Sequence, residues 1–291
     1  MDGSFSRPSG RTLTYTDFGD VDDPGATAVL WSHGGPGCRR EPGYVAERAR
    51  QAGLRLIGMD RPGYGGSDLD VGRTIADGAQ DLIALADHLG IDGFATVGVS
   101  TGGAYALAVA ALAPERVLVA VPTCAMTDMR DETARATMSR PHAQAVWDAP
   151  DRDAAIAAAV ASHGLDGSKI MESAEPGTPP LPASDLAMLV GHPFGQAWMA
   201  EVPIMFAQGL DGYADDRIAD GPGWVSFDVA TITSPVVVLH GAADVICQPV
   251  HARHTAAIVP GAELRLVPDL GHFSIFDEVV PTLADSLAPR D

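Results

Sequence analysis

Short unbroken apolar runs alternate with segments of helical periodicity through the first part of the chain. Residues 26–31, 54–59, 94–99 and 117–122 are apolar at successive positions, the pattern of strands buried on both faces. Between the first two, a helix is predicted over 41–52, with Gly53 in the stop position. Thr74 is placed to cap a second helix, whose apolar face is Ile75, Leu82, Leu85 and Leu89 and whose end is Gly90. An Ala-rich helix over 101–113 follows the third strand. Regular alternation of this kind predicts right-handed βαβ units and a parallel sheet. Ahead of it, residues 5–7 and 11–18 flank Pro8-Ser9-Gly10, and the alternation of Leu13 and Tyr15 suggests an N-terminal hairpin.

The alternation breaks at about Ala125 and resumes only after Ile232. The intervening stretch carries helical pieces, such as 153–163 closed by Gly164, and a Pro/Gly-rich segment at 175–180. We read it as an insertion: 1–124 and 233–291 form one α/β domain, and 125–232 form a helical insertion. Seven of the nine methionines and three of the four tryptophans (Trp147, Trp198 and Trp224) fall in it. They either fill a small helical core or line an adaptable apolar pocket, and one surface can do both. After the insertion come a strand over 235–241, a helix over 250–259, a strand over 263–267 and a final helix over 276–288. No internal repeat is found.

At 291 residues and 46% hydrophobic content, the chain has enough apolar material for a sizeable core. A net charge of −19, with Lys169 the only lysine, repels nucleic-acid phosphates and anionic membranes, so neither is an expected partner. Cys38, Cys124 and Cys247 are too few and too scattered for a disulfide framework or a zinc site. Residues 1–6 carry no basic or apolar leader pattern, and no apolar run is long enough to span a bilayer. A soluble cytoplasmic protein without cofactor or metal, acting on a small molecule, is the expectation; its oligomeric state is not readable.

The candidate chemistry sits where the runs end. Residues 94–107 read as a strand, a Gly-x-Ser-x-Gly turn and a helix, an arrangement that raises a serine hydroxyl above a sheet edge. A serine needs a base to take its proton and a third group to hold that base. Asp244 follows the strand at 235–241, and His272 follows the strand at 263–267. Carboxyl ends of parallel strands share one edge, so these groups can meet there. Ser100 is the candidate nucleophile, His272 the general base and then acid, and Asp244 the orienting carboxylate. Asp128, just past the strand at 117–122, is the competing acid. The Thr101 N–H at the helix start and the Gly35 N–H, with Gly34 as a reserve, are candidate donors to an oxyanion, and Pro36 can fix that loop with a cis bond before it. His33 and His240 are expected to hold loops, and Asp60, Arg61 and Ser67 to shape the loop beside the site. His251 and His254 lack further ligands and are expected at the surface. Cys124 and Cys247 are read as small buried hydrophobes.

Taken together, His33-Gly34-Gly35-Pro36-Gly37, Asp60-Arg61-Pro62-Gly63-Tyr64-Gly65-Gly66-Ser67, Gly98-Val99-Ser100-Thr101-Gly102-Gly103, His240-Gly241-Ala242-Ala243-Asp244 and Gly271-His272-Phe273 resemble the α/β-hydrolase superfamily. The resemblance covers nearly the whole chain outside the insertion. It implies the α/β-hydrolase fold: a mostly parallel eight-stranded sheet with helices on both faces and a helical cap inserted after the sixth strand. The His33–Gly37 stretch is also similar to that of proline iminopeptidases, although Thr101 stands where those enzymes usually carry Trp, and their Gln-Arg-Gly pattern is absent near Asp60. Dehalogenases and epoxide hydrolases of this fold use an Asp nucleophile, which Ser100 argues against.

The expected activity is hydrolysis of an ester-like acyl bond in a small to medium, largely hydrophobic substrate through an acyl-enzyme. Two alternatives stand beside it. One is cleavage of an amide or a C–C bond by the same triad, and the other is a binding protein on the same fold that turns over slowly or not at all.

Overall fold

The sheet has eight strands in the order β1-β2-β4-β3-β5-β6-β7-β8. These are β1 (Asp2–Ser6), β2 (Thr12–Asp17), β3 (Thr27–Ser32), β4 (Leu54–Met59), β5 (Phe94–Val99), β6 (Val117–Thr123), β7 (Val237–Gly241) and β8 (Glu263–Val267). The computed structural model describes residues 1–19, 25–138, 141–170 and 180–288. The hairpin β1–β2 runs antiparallel and joins β4 antiparallel, and every other pairing is parallel. Most of the expected Pro/Gly-rich segment, 175–179, lies outside the described residues.

Helices cover both faces. On one face α2 (Ile75–His88), α3 (Gly102–Leu112) and α10 (Pro249–Ile258) bury Leu82, Leu85, Tyr105, Ala108 and Ala252. On the other, α1 (Ala46–Gln51) and α11 (Val279–Leu287) bury Ala49, Val279 and Leu283 against Val29, Val97 and Leu239. Thr74 caps α2 in a reciprocal box with Asp77, so each side chain takes one of the free N–H groups at the helix start. Helix α3 has no polar face at all: every residue from Gly102 to Ala111 is buried, and its small side chains let it lie close against the sheet.

Two segments expected as single helices are divided. Residues 41–52 form a 3-10 turn, Glu41–Val45, before α1, and the C-terminal segment forms a 3-10 turn, Ser274–Glu278, before α11. Pro42 and Gly43 weaken the first, and tertiary contacts made by Glu41 and Ser274 tighten both turns.

Between β6 and β7 the chain forms α4 (Glu132–Ala136), α5 (Pro141–Trp147), α6 (Arg152–His163), α7 (Ala183–Leu189), α8 (Pro193–Met205) and α9 (Asp211–Asp220). Helices α5, α6 and α8 bring Val146, Ala155, Ala159 and Met205 to a small core with Leu210, closed on the sheet side by Cys38 and Tyr64. The methionines divide between tasks: Met205 belongs to this core, while Met126 and Met138 reach the wall of a cavity beside β5. No helix among the described residues is long and apolar enough to cross a membrane.

Candidate active site

Ser100 occupies the corner between β5 and α3 with φ of 53°, a left-handed conformation that costs a serine energy. The flanking glycines are required by contact. A Cβ on Gly98 would lie 2.1 Å from the Gly102 carbonyl oxygen, and one on Gly102 would lie 2.1 Å from that of Ser32. Strand, corner and helix are therefore pressed together with no room for a side chain, and the Ser100 N–H is tied to the Thr123 carbonyl of β6 at 2.9 Å.

His272 and Asp244 meet although they belong to different loops. The His272 Nδ1–H donates to Asp244 Oδ2 at 2.8 Å, which leaves Nε2 of the neutral ring as an acceptor. The other oxygen of Asp244 accepts the N–H groups of Ile246 and Cys247 at 2.8 and 3.0 Å. Burial alone would push the Asp244 carboxyl up, but the His272 imidazole and these donors outweigh it and hold it below the usual range. Asp128 is engaged elsewhere. It accepts from the backbone and guanidinium of Arg130 and from the Trp224 N–H, and it faces a different cleft from Ser100.

His33 and His240 both hold loops. His33 sits between the Gly34 carbonyl on Nδ1 and the Arg61 N–H on Nε2, and burial pushes its pKa well down, so it is the neutral Nδ1–H form. His240 Nε2–H donates to the Cys247 carbonyl at 2.7 Å. Arg61 donates to the carbonyls of both His33 and Gly34 and to Ser32 Oγ, which fixes the path of the loop after β3. Asp60 and Ser67 tie that neighbourhood to Arg39 and Thr14. The Gly35–Pro36 bond is cis. A Cβ on Gly35 would lie 2.6 Å from Thr101 Oγ1, so this loop and the start of α3 touch, and both Gly35 and Thr101 line the cavity.

The Gly34 N–H is already taken by the Glu41 carboxylate, at 2.9 Å to one oxygen, so it is not a reserve donor. Glu41 also accepts from Trp31 Nε1 at 2.8 Å. It is buried in the cavity wall, and burial raises its pKa to about 7 against the lowering effect of these donors. Sequence reasoning missed this residue because nothing local marks a glutamate that turns inward.

Asp185 was missed for the same reason. From α7 it accepts the N–H groups of His272, Phe273 and Ser274 at 2.8, 3.0 and 2.8 Å, and the Ser274 hydroxyl at 2.8 Å. A carboxylate of the inserted segment thus fixes the backbone that carries His272. Asp216, on α9, does the same for the opposite wall. It accepts from Arg61, Arg73, Tyr64 and Tyr105, all buried, and the two guanidinium groups hold its carboxyl far below the usual range despite burial.

The surface expectation for His251 and His254 is overturned. His251 is fully buried, accepting the Thr127 N–H on Nδ1, and burial lowers its pKa to about 4. His254 is half-buried with Nδ1 at 2.9 Å from Thr127 Oγ1. Helix α10 packs against the start of the insertion, and the spacing of three that suggested a metal pair instead turns both rings toward Thr127. Among the described residues no group of His, Cys, Asp and Glu is arranged to hold a metal ion. Cys124 is a core residue, whereas Cys247 Sγ lies 4.0 Å from Ser100 Oγ in the cavity wall.

That cavity, of about 200 Å³, joins Ser100, His272, Gly35 and Thr101 to side chains of the inserted segment, among them Leu186, Phe194 and Trp198.

Comparison with known proteins agrees with this architecture. The chain is 34% identical over 109 residues to an uncharacterized hydrolase of Bacillus subtilis (strain 168), a match covering 37% of this chain and 36% of that protein. It is 36% identical over 114 residues to the dihydrolipoyllysine-residue acetyltransferase component of the acetoin cleaving system of Pseudomonas putida, covering 37% of this chain and 28% of that one. The chain thus spans about a third of the length of the curated relatives it matches. Among solved structures, the enol-lactonase of Burkholderia xenovorans LB400 superposes with a TM-score of 0.68 at 19% identity, over 98% of this chain and 99% of that one. An esterase of Exiguobacterium antarcticum gives 0.67 at 19%, over 99% of each chain. At such identities these structures speak for the fold alone. A family model described as "Alpha/beta hydrolase family" matches residues 25–283, nearly the whole sheet with its insertion, and the chain belongs to that family.

Proposed function

We propose that this hydrolase is a serine hydrolase that cleaves an ester-like acyl bond of a small to medium, largely hydrophobic substrate through an acyl-enzyme. The observation that carries the reading is the convergence on one cavity of a serine at a left-handed corner and a histidine whose Nδ1 is held by a buried carboxylate at 2.8 Å. His272 Nε2 takes the Ser100 proton as Oγ attacks the acyl carbon, and Asp244 stabilises the imidazolium that forms. The developing oxyanion is met by the N–H groups of Gly35 and Thr101, aided by the positive end of α3. Collapse of the tetrahedral intermediate expels the leaving group with the proton from His272. Water then repeats the sequence on the acyl-enzyme.

Residues 125–232 act as the cap, whose apolar side chains set the size and polarity of the acyl group. The test uses p-nitrophenyl esters of graded chain length beside alanine and proline anilides. Ester turnover with an initial burst is expected, together with stoichiometric fluorophosphonate labelling at Ser100. Ser100→Ala should abolish the label and lower turnover about 10⁴-fold or more while leaving the fold intact. Turnover of anilides alone would move the reaction to amides, and a Ser100→Ala chain that keeps more than a few per cent of its activity would refute the reading.

A further inference from the structure

Arg217 is the one arginine or lysine among the described residues that line the cavity. It projects from α9 and is 3% exposed. Its Nη2 donates to Thr101 Oγ1 and lies 2.6 Å from Asp220 Oδ2. The guanidinium also faces the Tyr213 and Trp147 rings, at 5.4 and 6.0 Å from their centres. The Nη1 donor is given to the Met126 thioether at 3.4 Å, a weak acceptor, and Nε has no hydrogen-bond partner among the described residues. A buried cation is costly, and the cavity face is the side from which a ligand's charge can reach this one.

The surrounding carboxylates outweigh burial and keep the guanidinium charged. Asp216 pairs with Arg61 and Arg73 and buried Asp215 pairs with Arg152, which leaves Asp220 as the carboxylate paired directly with Arg217. Glu41 also lines the cavity, with its carboxylate turned toward Trp31 Nε1 and the Gly34 N–H. The position matters as much as the charge. Arg217 Nη2 is 3.4 Å from where a Cβ on Gly35 would stand, beside the two N–H groups assigned to the oxyanion. A fixed cation there attracts a carboxylate and offers a neutral carbonyl no comparable charge.

We propose that Arg217 binds a carboxylate of the substrate, so that the preferred substrates are esters or lactones bearing a free carboxylate on a short acyl chain. The reaction part of this statement rests on the serine-hydrolase reading; the binding part does not. A chain of net charge −19 repels anions at long range, so the preference is local, and added salt, which screens that repulsion, should raise the apparent affinity for the charged ligand.

Two measurements test it. The first compares kcat/KM for p-nitrophenyl hemisuccinate and hemiglutarate with that for p-nitrophenyl butyrate and valerate. The hemiesters are expected to be favoured at least tenfold, with the ratio falling to about one in Arg217→Met and partly kept in Arg217→Lys. The second needs no turnover and no change at Arg217: the Ser100→Ala chain is titrated calorimetrically with monomethyl glutarate and with methyl valerate. At least tenfold tighter binding of the carboxylate is expected. Ester turnover without either preference overturns the role of Arg217 and leaves the serine-hydrolase reading standing. Tighter carboxylate binding with no turnover of any ester supports Arg217 and counts against that reading. Equal binding of the two ligands overturns the proposal whether or not Arg217→Met folds.

Discussion

The two walls of the cavity are held by different physics. The sheet side is apolar and close-packed: strand β5 is buried along its length and β3 and β6 at all but one residue each, and backbone touches backbone at Gly98 and Gly102. The inserted side is latched to it by buried charge. Asp216 locks α9 to Arg61 and Arg73, Asp185 locks α7 to the His272 loop, and Gln208 donates to the carbonyls of Gly65 and Ser67. Packing of the first kind tolerates volume-conserving change, because burial is proportional to area and has no direction. A latch of the second kind does not, since losing one partner strands the other in a medium that cannot solvate it.

The sharpest break in this comparison lies on the sheet side, in the choice of acid. Asp244→Asn should cost about 10³- to 10⁴-fold in single-turnover rate, because the amide cannot hold the imidazole in its tautomer or stabilise the imidazolium. Asp128→Asn should cost less than about tenfold; the reverse order would move the acid to the end of β6. Next comes the latch on the inserted side. Asp216→Asn leaves two buried guanidinium groups short of their counter-charge and should lower unfolding free energy by about 3–5 kcal/mol, read from urea midpoints. A change below about 1 kcal/mol would show that the latch contributes no more than an exposed ion pair.

Glu41 sharpens the comparison through pH. Its pKa is raised from 4.5 to about 7 in the folded chain, so folding binds a proton. The stability from that proton is fully present below about 4.5 and is lost as pH rises through about 7, a change of up to about 3 kcal/mol. Glu41→Gln cannot titrate, so its stability relative to the parent chain should improve between pH 4.5 and 8. Asp220, raised to about 6, titrates in both chains and cancels, whereas Glu201, raised to about 7 in part by the Glu41 charge, is relieved in Glu41→Gln and adds to the difference in the same direction. Identical pH slopes would mean that Glu41 is solvated.

The smallest expected effect is at Asp185. Asn has one acceptor oxygen where the carboxylate takes four donors, so the His272 loop should loosen. Fluorophosphonate labelling of Ser100 is expected to slow about tenfold while far-UV circular dichroism is unchanged. Unaltered labelling would show that the sheet side alone sets the position of His272.

How much of this was legible in the chain follows from range. The strands at 54–59 and 94–99 and the capped helix at Thr74 lie where apolar runs and capping chemistry place them, because those signals act over a few residues. Ser100, Asp244 and His272 were legible as candidates because each closes a strand, and a parallel sheet brings strand ends to one edge whatever lies between. The insertion was legible only as a break in rhythm. His251 was misread because its spacing on α10 said nothing of the segment packed against it.

What the sequence by itself determined is therefore the layered sheet, its corner glycines and the order of the candidate residues, all consequences of local pattern and chain topology. Only the tertiary structure decided that Asp244, and not Asp128, faces His272. It alone decided that Glu41 takes the Gly34 N–H, and that Asp185, Asp216 and Arg217 turn inward from helices whose sequence reads as polar surface. The physical reason is that a buried charge carries no local signature. Its partner lies up to 155 residues away in the chain, as Asp216 does from Arg61, and the pairing exists only once burial has removed water as the alternative.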